Sequence, residues 1–281
     1  MKPRVAVLQF PGVNCEVETV RALERVGLEA EVFRWTRPAA ELKRFQAFVL
    51  PGGFSYQDRV RAGALAAKDP MVDVLVAQAG RGAPVLGICN GAQVLTEAGL
   101  VPGDGEVELA LARNRMPGRT GYYARWVHVR IEASRCLFTS TLEAGTVLPL
   151  PVAHGEGRFT SRIPGRVGGL AAAGQTPLRY VSADGRNATS FPDDPNGSEE
   201  GVAAVCNDRG NVLALMPHPE RAQDLGATSR AVGGAWGARR DAVLEAPPGA
   251  GGWSGVAGAA DGPGVAIFAG LARHLSGGGK G

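Results

Sequence analysis

A cysteine lies between two glycines where a short apolar run meets a helical pattern, in the sequence PVLGICNGAQVLTEAG of residues 84–99. This order of strand, tight turn and helix is that of the nucleophile elbow of hydrolases, with Cys89 in the place of serine. Gly87 and Gly91 would give room for a strained turn, and the positive end of the helix favours a thiolate, the nucleophilic form. The same pattern also fits a structural cysteine at a strand end, with glycines for close packing.

A histidine and a carboxylate follow a second apolar run, in the sequence MPHPE of residues 216–220. The flanking prolines favour an extended chain, in which residues two apart point the same way. His218 and Glu220 are therefore predicted to form a base and its orienting carboxylate. A single histidine at a strand end is more often a structural or surface residue. Together with Cys89, however, the pair indicates nucleophilic catalysis by groups that the fold brings together.

A pair of glycines follows a third apolar run, in the sequence LPGGFS of residues 50–55. Paired glycines allow backbone N–H groups to turn inward. The N–H groups of Gly53 and Asn90 are candidates for holding the oxyanion of an acyl-transfer intermediate. A plain tight turn is the alternative for Gly52-Gly53 alone.

The first hundred residues alternate short apolar runs with helical patterns, which predicts strands and helices in turn. Asn14 is a candidate cap for a first helix with Val17, Val20 and Leu23 on one face, and Asp69-Pro70 begins a second helix. Such alternation predicts an α/β fold, an open and mostly parallel sheet with helices on both faces. The predicted strands of this half are 5–10, 29–35, 47–50 and 84–88.

The later chain is richer in strands, which predicts an antiparallel addition to the same domain. We expect one domain over residues 1–275 and a flexible tail at 276–281. The strands predicted here are 123–131, 146–152, 179–181, 202–206 and 212–216.

A Gly/Ala-rich stretch interrupts the end of the chain. Of the 39 residues 226–264, 11 are glycine, 10 alanine and 3 proline. Side chains this small recover little of the entropy lost on ordering. We therefore expect a surface insertion or long loop at about 227–260.

Composition excludes several classes of protein. The net charge of +3 and 6% aromatic residues argue against a nucleic-acid partner. The apolar runs are shorter than a membrane span, and the start MKPR lacks a secretory apolar region. We expect a soluble cytoplasmic protein. The four cysteines have irregular spacing, so neither a disulfide framework nor a metal site is predicted.

The chain resembles the class I glutamine amidotransferases in its Gly52-Gly53 loop, its cysteine elbow and its PHPE segment. Five longer stretches narrow the resemblance to the glutaminase subunits of phosphoribosylformylglycinamidine synthase, of purine biosynthesis: VLQFPGVNCE at 7–16, GGFSY at 52–56, GICNGAQVL at 87–95, AHGEGRF at 153–159 and NDRGNVLALMPHPER at 207–221. The resemblance covers about residues 3–225 and resumes at 261–271. It implies a flavodoxin-like sheet and the triad Cys89, His218 and Glu220. It also implies an oxyanion and substrate site formed by Gly52, Gly53, Phe54, Asn90 and Gln93.

The resemblance implies that glutamine is hydrolysed to glutamate and ammonia, and that the ammonia is used elsewhere. This chain has no phosphate-binding Gly-x-x-x-x-Gly-Lys-Ser/Thr loop. ATP and Mg are therefore expected in a large synthetase partner, commonly with a small bridging subunit, and no cofactor is expected here. The rival hypotheses are a stress-type hydrolase or glyoxalase acting alone, and a catalytically idle regulatory subunit.

Two departures from the family pattern stand out. Gln57 occupies a position where glycine is expected, which would alter the entrance to the site, and residues 227–260 look inserted. The segment from His154 to Glu156 fits either the glutamine pocket, the surface that faces the partner, or a solvated turn.

Overall fold

The computed structural model describes residues 2–103, 105–246 and 260–278. The strands of this part of the chain are β1 Arg4–Gln9, β2 Glu29–Arg34, β3 Ala47–Leu50, β4 Val85–Ile88, β5 Leu109–Arg113, β6 Tyr123–Ile131, β7 Val147–His154, β8 Glu156–Ser161, β9 Leu178–Val181, β10 Val202–Cys206 and β11 Val212–Leu215. Its α-helices are α1 Glu16–Arg25, α2 Pro70–Gly80, α3 Asn90–Glu97, α4 Arg166–Ala172, α5 Gly234–Glu245 and α6 Val265–Arg273.

A nine-stranded sheet in the order β2-β1-β3-β4-β11-β10-β9-β6-β7 organises the fold. The strands from β2 to β11 in this order pair in parallel, and those from β11 to β7 pair antiparallel. Strands β5 and β8 form a separate antiparallel pair. The predicted α/β sheet with an antiparallel addition is confirmed.

The parallel strands lie at the centre of the core. Every residue of β3, β4 and β11 is buried, as expected for parallel strands covered on both faces. Their carboxyl ends meet at one edge of the sheet, where ligands bind in open α/β folds. The candidate catalytic residues follow β4 and β11, and the glycine pair follows β3, so all three are brought to this edge.

Strand β7 lies at the far end of the sheet, yet its free edge is occupied. The carbonyls of Val147 and Pro151 accept hydrogen bonds from the Trp236 indole at 3.2 Å and the His218 backbone at 2.8 Å. Because carbonyls alternate in direction along a strand, those of residues 147, 149, 151 and 153 face this edge. Pro149 and Pro151 belong to this outward set, where the missing N–H costs the sheet no ladder bond.

Helix α1 differs from its prediction in register. Cys15, not Asn14, is the N-cap, and no side chain caps the helix. The buried face consists of Thr19, Ala22 and Leu23, whereas Val17 is 52% exposed. Helix α2 begins as predicted, with the Asp69 carboxylate accepting the N–H of Met71 at 2.9 Å.

The Gly/Ala-rich stretch contains a helix, so the expected loop is wrong for residues 234–245. Alanine is the best helix former, Trp236 attaches the segment to the body, and Arg240 joins the helix to the residues before it. Val232 is 2% exposed, Trp236 donates to β7, and the buried Arg240 donates to the carbonyl of Val232 at 3.1 Å. The rest of the predicted insertion, at 247–259, lies outside the described residues.

Further expectations concern the chain as a whole. The single domain over 1–275 stays a prediction, and half of the predicted tail, residues 279–281, lies outside the described residues. In the part of the chain that the structure describes, no helix is both long enough and apolar enough to cross a membrane.

Candidate active site

Cys89 lies in the tight turn between β4 and α3, with a backbone φ of 49° and ψ of −102°. A positive φ is uncommon outside glycine and marks local strain, as in a nucleophile elbow. A Cβ at Gly87 would lie 2.6 Å from the Gly91 carbonyl oxygen, and one at Gly91 would overlap with the carbonyl of Leu50. The two glycines are therefore required by the turn, as the sequence predicted.

His218 follows β11, and its Nδ1 lies 2.5 Å from Oε1 of Glu220. Both side chains are buried, with 2% and 1% of their surface exposed. The remaining atoms, His218 Nε2 and Glu220 Oε2, are buried and without a hydrogen-bond partner among the described residues. The carboxylate thus orients the imidazole and leaves Nε2 available for proton transfer.

The charge of His218 is set by opposing effects. Burial acts to lower the pKa of the imidazole, but the negative charges of Glu220 and of a Cys89 thiolate outweigh it. The His218 pKa therefore lies well above its usual value. An imidazolium beside Cys89 is ready to give a proton to a leaving group.

Cys89 and His218 line the same small cavity, of about 30 Å³, at the carboxyl edge of the sheet. Room on this scale fits a water molecule and is too small for a glutamine side chain. The Cys89 thiol donates to the carbonyl of Ala153 at 3.6 Å. Phe54 and Tyr122 also line the cavity, both partly exposed, with ring centroids 6.2 Å apart. Because the cavity is smaller than a glutamine side chain, substrate binding requires its lining residues to move.

A larger cleft of about 780 Å³ runs along β5 and β8. None of the candidate catalytic side chains lines it. We therefore assign the active site by its reactive groups and not by the size of the cleft.

The glycine pair lies against the catalytic histidine. A Cβ at Gly52 would be 2.6 Å from Cε1 of His218, so this position has no room for a side chain. Gly53 lines the cavity with Cys89. The oxyanion role of the Gly53 and Asn90 N–H groups stays a prediction.

Two of the predicted substrate-binding residues are engaged within the protein. The Asn90 amide accepts the N–H of Ser55 at 2.9 Å and donates to Gln93 Oε1 at 2.9 Å. Gln93 Nε2 in turn donates to the carbonyl of Glu156 at 2.6 Å. Asn90 also donates to Asp58 at 3.2 Å, and burial, with the nearby charge of Glu156, raises the pKa of Asp58 to about 6. These amides tie the elbow to its surrounding loops.

Sequence reasoning missed a second thiol at the site. Cys15 is 1% exposed, lines the cavity and accepts a hydrogen bond from Arg221 Nη2 at 3.1 Å. Donor atoms of Cys15, His218 and Glu220 all lie within 4.8 Å of one another, a set that is able to hold a metal ion. Because Arg221 already donates to the sulfur and Glu220 already binds Nδ1, we assign these groups to hydrogen bonding. In the sequence, Cys15 was marked only by its place in the stretch 7–16, one of the five that resemble the family.

Gln57, the residue found where glycine was expected, has a φ of 60° and a ψ of 27°. This left-handed conformation is the one that favours glycine. Tyr56 and Asp58 share it, with φ of 53° and 52°. The loop therefore keeps the backbone shape that a glycine would favour, at the cost of strain.

Comparison with known proteins agrees with this geometry. A model of the CobB/CobQ-like glutamine amidotransferase domain matches residues 2–243 and so runs into the segment predicted as an insertion. The PurQ subunit of phosphoribosylformylglycinamidine synthase from Methanothrix thermoacetophila is 47% identical over 227 residues, covering 78% of this chain and 86% of that protein. The PurQ subunit from Thermomicrobium roseum is 46% identical over 238 residues, covering 84% and 92%.

A solved structure adds a match in three dimensions. A chain in the structure of PurLQS from Thermotoga maritima is 34% identical, with a TM-score of 0.65, and the match covers 86% of this chain and 97% of that one. By sequence and by fold, the chain belongs to the glutamine amidotransferases and, among them, to the PurQ family of phosphoribosylformylglycinamidine synthase subunits.

Proposed function

We propose that this chain is the glutaminase subunit of a phosphoribosylformylglycinamidine synthase, with Cys89 as its nucleophile. The observation that carries the proposal is the strained elbow of Cys89, which lines one small cavity with His218, whose ring is held by the buried Glu220. Membership of the PurQ family supports the same activity.

The chemistry follows from these groups. The Cys89 thiolate attacks the side-chain carbonyl carbon of glutamine, and the N–H groups of Gly53 and Asn90 hold the oxyanion. His218 gives its proton to the departing nitrogen, so ammonia leaves and a glutamyl thioester remains. His218, held by Glu220, then takes a proton from water, which hydrolyses the thioester to glutamate and restores the thiol.

The ammonia must next react with a substrate that ATP activates. We assign ATP and Mg to a large synthetase partner, and we include a small bridging subunit in the assembly. The likeness to a chain of PurLQS supports a partnered state. We place the assembly in the cytoplasm.

The test uses the chain assembled with its synthetase partner and compares glutamine with ammonium salts as the nitrogen donor. Cys89→Ala should abolish glutamine-dependent synthesis and leave ammonium-dependent synthesis intact. Cys136→Ala is the control, since Cys136 is a buried cysteine that does not line the cavity.

Other outcomes would overturn the proposal. Equal loss of both activities in Cys89→Ala would show a structural role for the thiol, and retained glutamine use would remove it as nucleophile. A chain that hydrolyses other substrates without a partner, and ignores glutamine, would support the stand-alone hydrolase instead.

A further inference from the structure

His154 is a buried histidine beside the active site that the reaction above does not use. It ends β7, is 2% exposed and directly follows Ala153, whose carbonyl accepts from the Cys89 thiol. Its ring packs against the backbone of Gly157, where a Cβ would overlap with the imidazole. The segment from His154 to Gly157 therefore forms one tightly packed unit next to the nucleophile.

Asn114 fixes the orientation and the tautomer of this histidine. Its Oδ1 accepts the N–H of Gly157 at 3.1 Å, and its Nδ2 donates to the carbonyl of His154 at 2.8 Å. Since Oδ1 is an acceptor, His154 Nδ1, at 3.1 Å from it, must be the donor. Nε2 is then an acceptor, buried and without a partner among the described residues.

His154 has no part in proton transfer at neutral pH. Burial, with the positive charge of His218 nearby, lowers the pKa of His154 to about 3. The imidazole therefore stays neutral throughout the working range of the enzyme, and its contribution must come from geometry.

That geometry reaches both catalytic residues through β7. The outward carbonyl of Pro151 accepts the backbone N–H of His218 at 2.8 Å, and that of Ala153 accepts from Cys89 at 3.6 Å. The last residues of β7 therefore determine how His218 and Cys89 are placed relative to each other. Whatever fixes the end of this strand also fixes their alignment.

We propose that His154 is a positioning residue for the glutaminase reaction: its Nδ1–H, held by Asn114, fixes the end of β7 so that Cys89 and His218 are aligned. The inference rests on the proposed function of Cys89. A displacement of about 1 Å between reacting groups costs about 100-fold in rate, so loss of this anchor has a measurable effect.

The test compares two substitutions of His154 that place an amide N–H donor at different points. In His154→Asn the amide nitrogen takes the position of Nδ1, whereas in His154→Gln it takes the position of Nε2. The probe is a diazoketone analogue of glutamine, which alkylates the active-site thiol, and the rate of Cys89 labelling in the chain assembled with its synthetase partner is followed by mass spectrometry. His128→Asn is the control, since His128 lies on the neighbouring strand β6.

We expect His154→Asn to label within about threefold of the parent chain and His154→Gln to label about 10- to 100-fold more slowly. The pH profile of labelling should be unchanged in His154→Asn, because His154 does not titrate in that range. A melting curve for each variant separates slow labelling from unfolding.

Three results would overturn the inference. The first is an equal rate of Cys89 labelling in both amide variants. The second is faster labelling in His154→Gln than in His154→Asn, which would make Nε2 the atom that positions the site. The third is a pH profile of labelling that shifts in His154→Asn. A parent chain whose Cys89 does not react with the diazoketone would instead count against the proposed function itself.

Discussion

The side chain of Asn90 accepts the backbone N–H of Ser55 at 2.9 Å. This bond joins the residue after the nucleophile to the loop that carries Gly53, so the two amide groups assigned to the oxyanion are held by loops that are tied together. The predicted oxyanion site is thus formed by two separate chain segments that one side chain joins.

Removing the hydrogen bond between Asn90 and Ser55 should slow the chemical step. We expect Asn90→Ala to lower kcat for glutamine about tenfold or more, with a smaller effect on KM, because a misplaced oxyanion donor acts mainly in the transition state. Steady-state kinetics in the assembled complex measure this. Ammonium-dependent synthesis is the internal control, and an unchanged kcat would show that the loops keep their positions without the amide.

Replacing Glu220 should lower the pKa of His218. In Glu220→Gln the carboxylate charge is lost while burial remains, so the imidazole loses its proton at a lower pH than in the parent chain. Histidine-selective ¹⁵N NMR follows this titration among the four histidines of the chain. The rate of glutamine hydrolysis should fall less in Glu220→Gln than in His218→Ala, since the carboxylate orients the ring and does not itself carry the proton.

The raised pKa of His218 also makes the free energy of unfolding depend on pH. Because the folded pKa of His218 is raised, its stabilising contribution is complete below the unfolded pKa of about 6.5 and is lost as pH rises through the folded pKa. The stability difference between the parent chain and Glu220→Gln should therefore shrink at alkaline pH. A difference that grows with pH would contradict this account.

Replacing Gln57 by glycine should relieve strain. The left-handed backbone costs a residue with a side chain about 1–2 kcal/mol, and the added freedom of glycine when unfolded offsets part of the gain. We expect the free energy of unfolding to rise by about 0.5–1 kcal/mol, measured by urea titration. Gln57→Ala is the matched control, since it keeps the strain and should give no gain.

The isolated chain should hydrolyse glutamine slowly, and its partner should raise the rate. The cavity at Cys89 is too small for a glutamine side chain, and Phe54 and Tyr122 line it. Tyr122→Ala should enlarge the cavity, raise the activity of the isolated chain several-fold and reduce stimulation by the partner. Tyr122→Phe keeps the ring and should behave like the parent; full activity of the unmodified chain without partner would exclude this gating.

Replacing residues 227–260 by a short linker would remove α5, whose Trp236 donates to the edge of β7. We expect this deletion to lower the melting temperature. Trp236→Phe, which keeps a ring but loses the N–H, should cost about 0.5–1.5 kcal/mol by chemical denaturation, and a neutral result would mean that α5 only rests on the surface.

The fold was predictable where residues are buried on both faces. Continuous apolar runs at β3, β4 and β11 gave these strands to within a residue. Strands β5 and β8 and helix α4 were not predicted, because their patterns are short or rich in glycine. Helix α5 was missed for a related reason, since composition alone does not reveal that Trp236 has a backbone carbonyl to bind.

The site was predictable where the chemistry belongs to a side chain in a local motif. Cys89, His218 and Glu220 each follow a predicted strand, so sequence alone brought them together. Ala153 contributes a backbone carbonyl to the site, and because every residue has one, the sequence does not reveal this contact. Arg221 acts on Cys15 from far along the chain, a relation that only the folded chain reveals.

Because β7 lies at the border of the sheet, the active site should be less stable to heat than the centre of the sheet. Outer strands open at a lower free energy than the strands at the centre of a sheet, and this one holds both the nucleophile and the base. We therefore expect β7 to separate from the site on warming before the parallel strands unfold, despite the bonds from Trp236 and His218 on its outer edge. Glutaminase activity should then be lost at a temperature below that of global unfolding, and cooling should restore it.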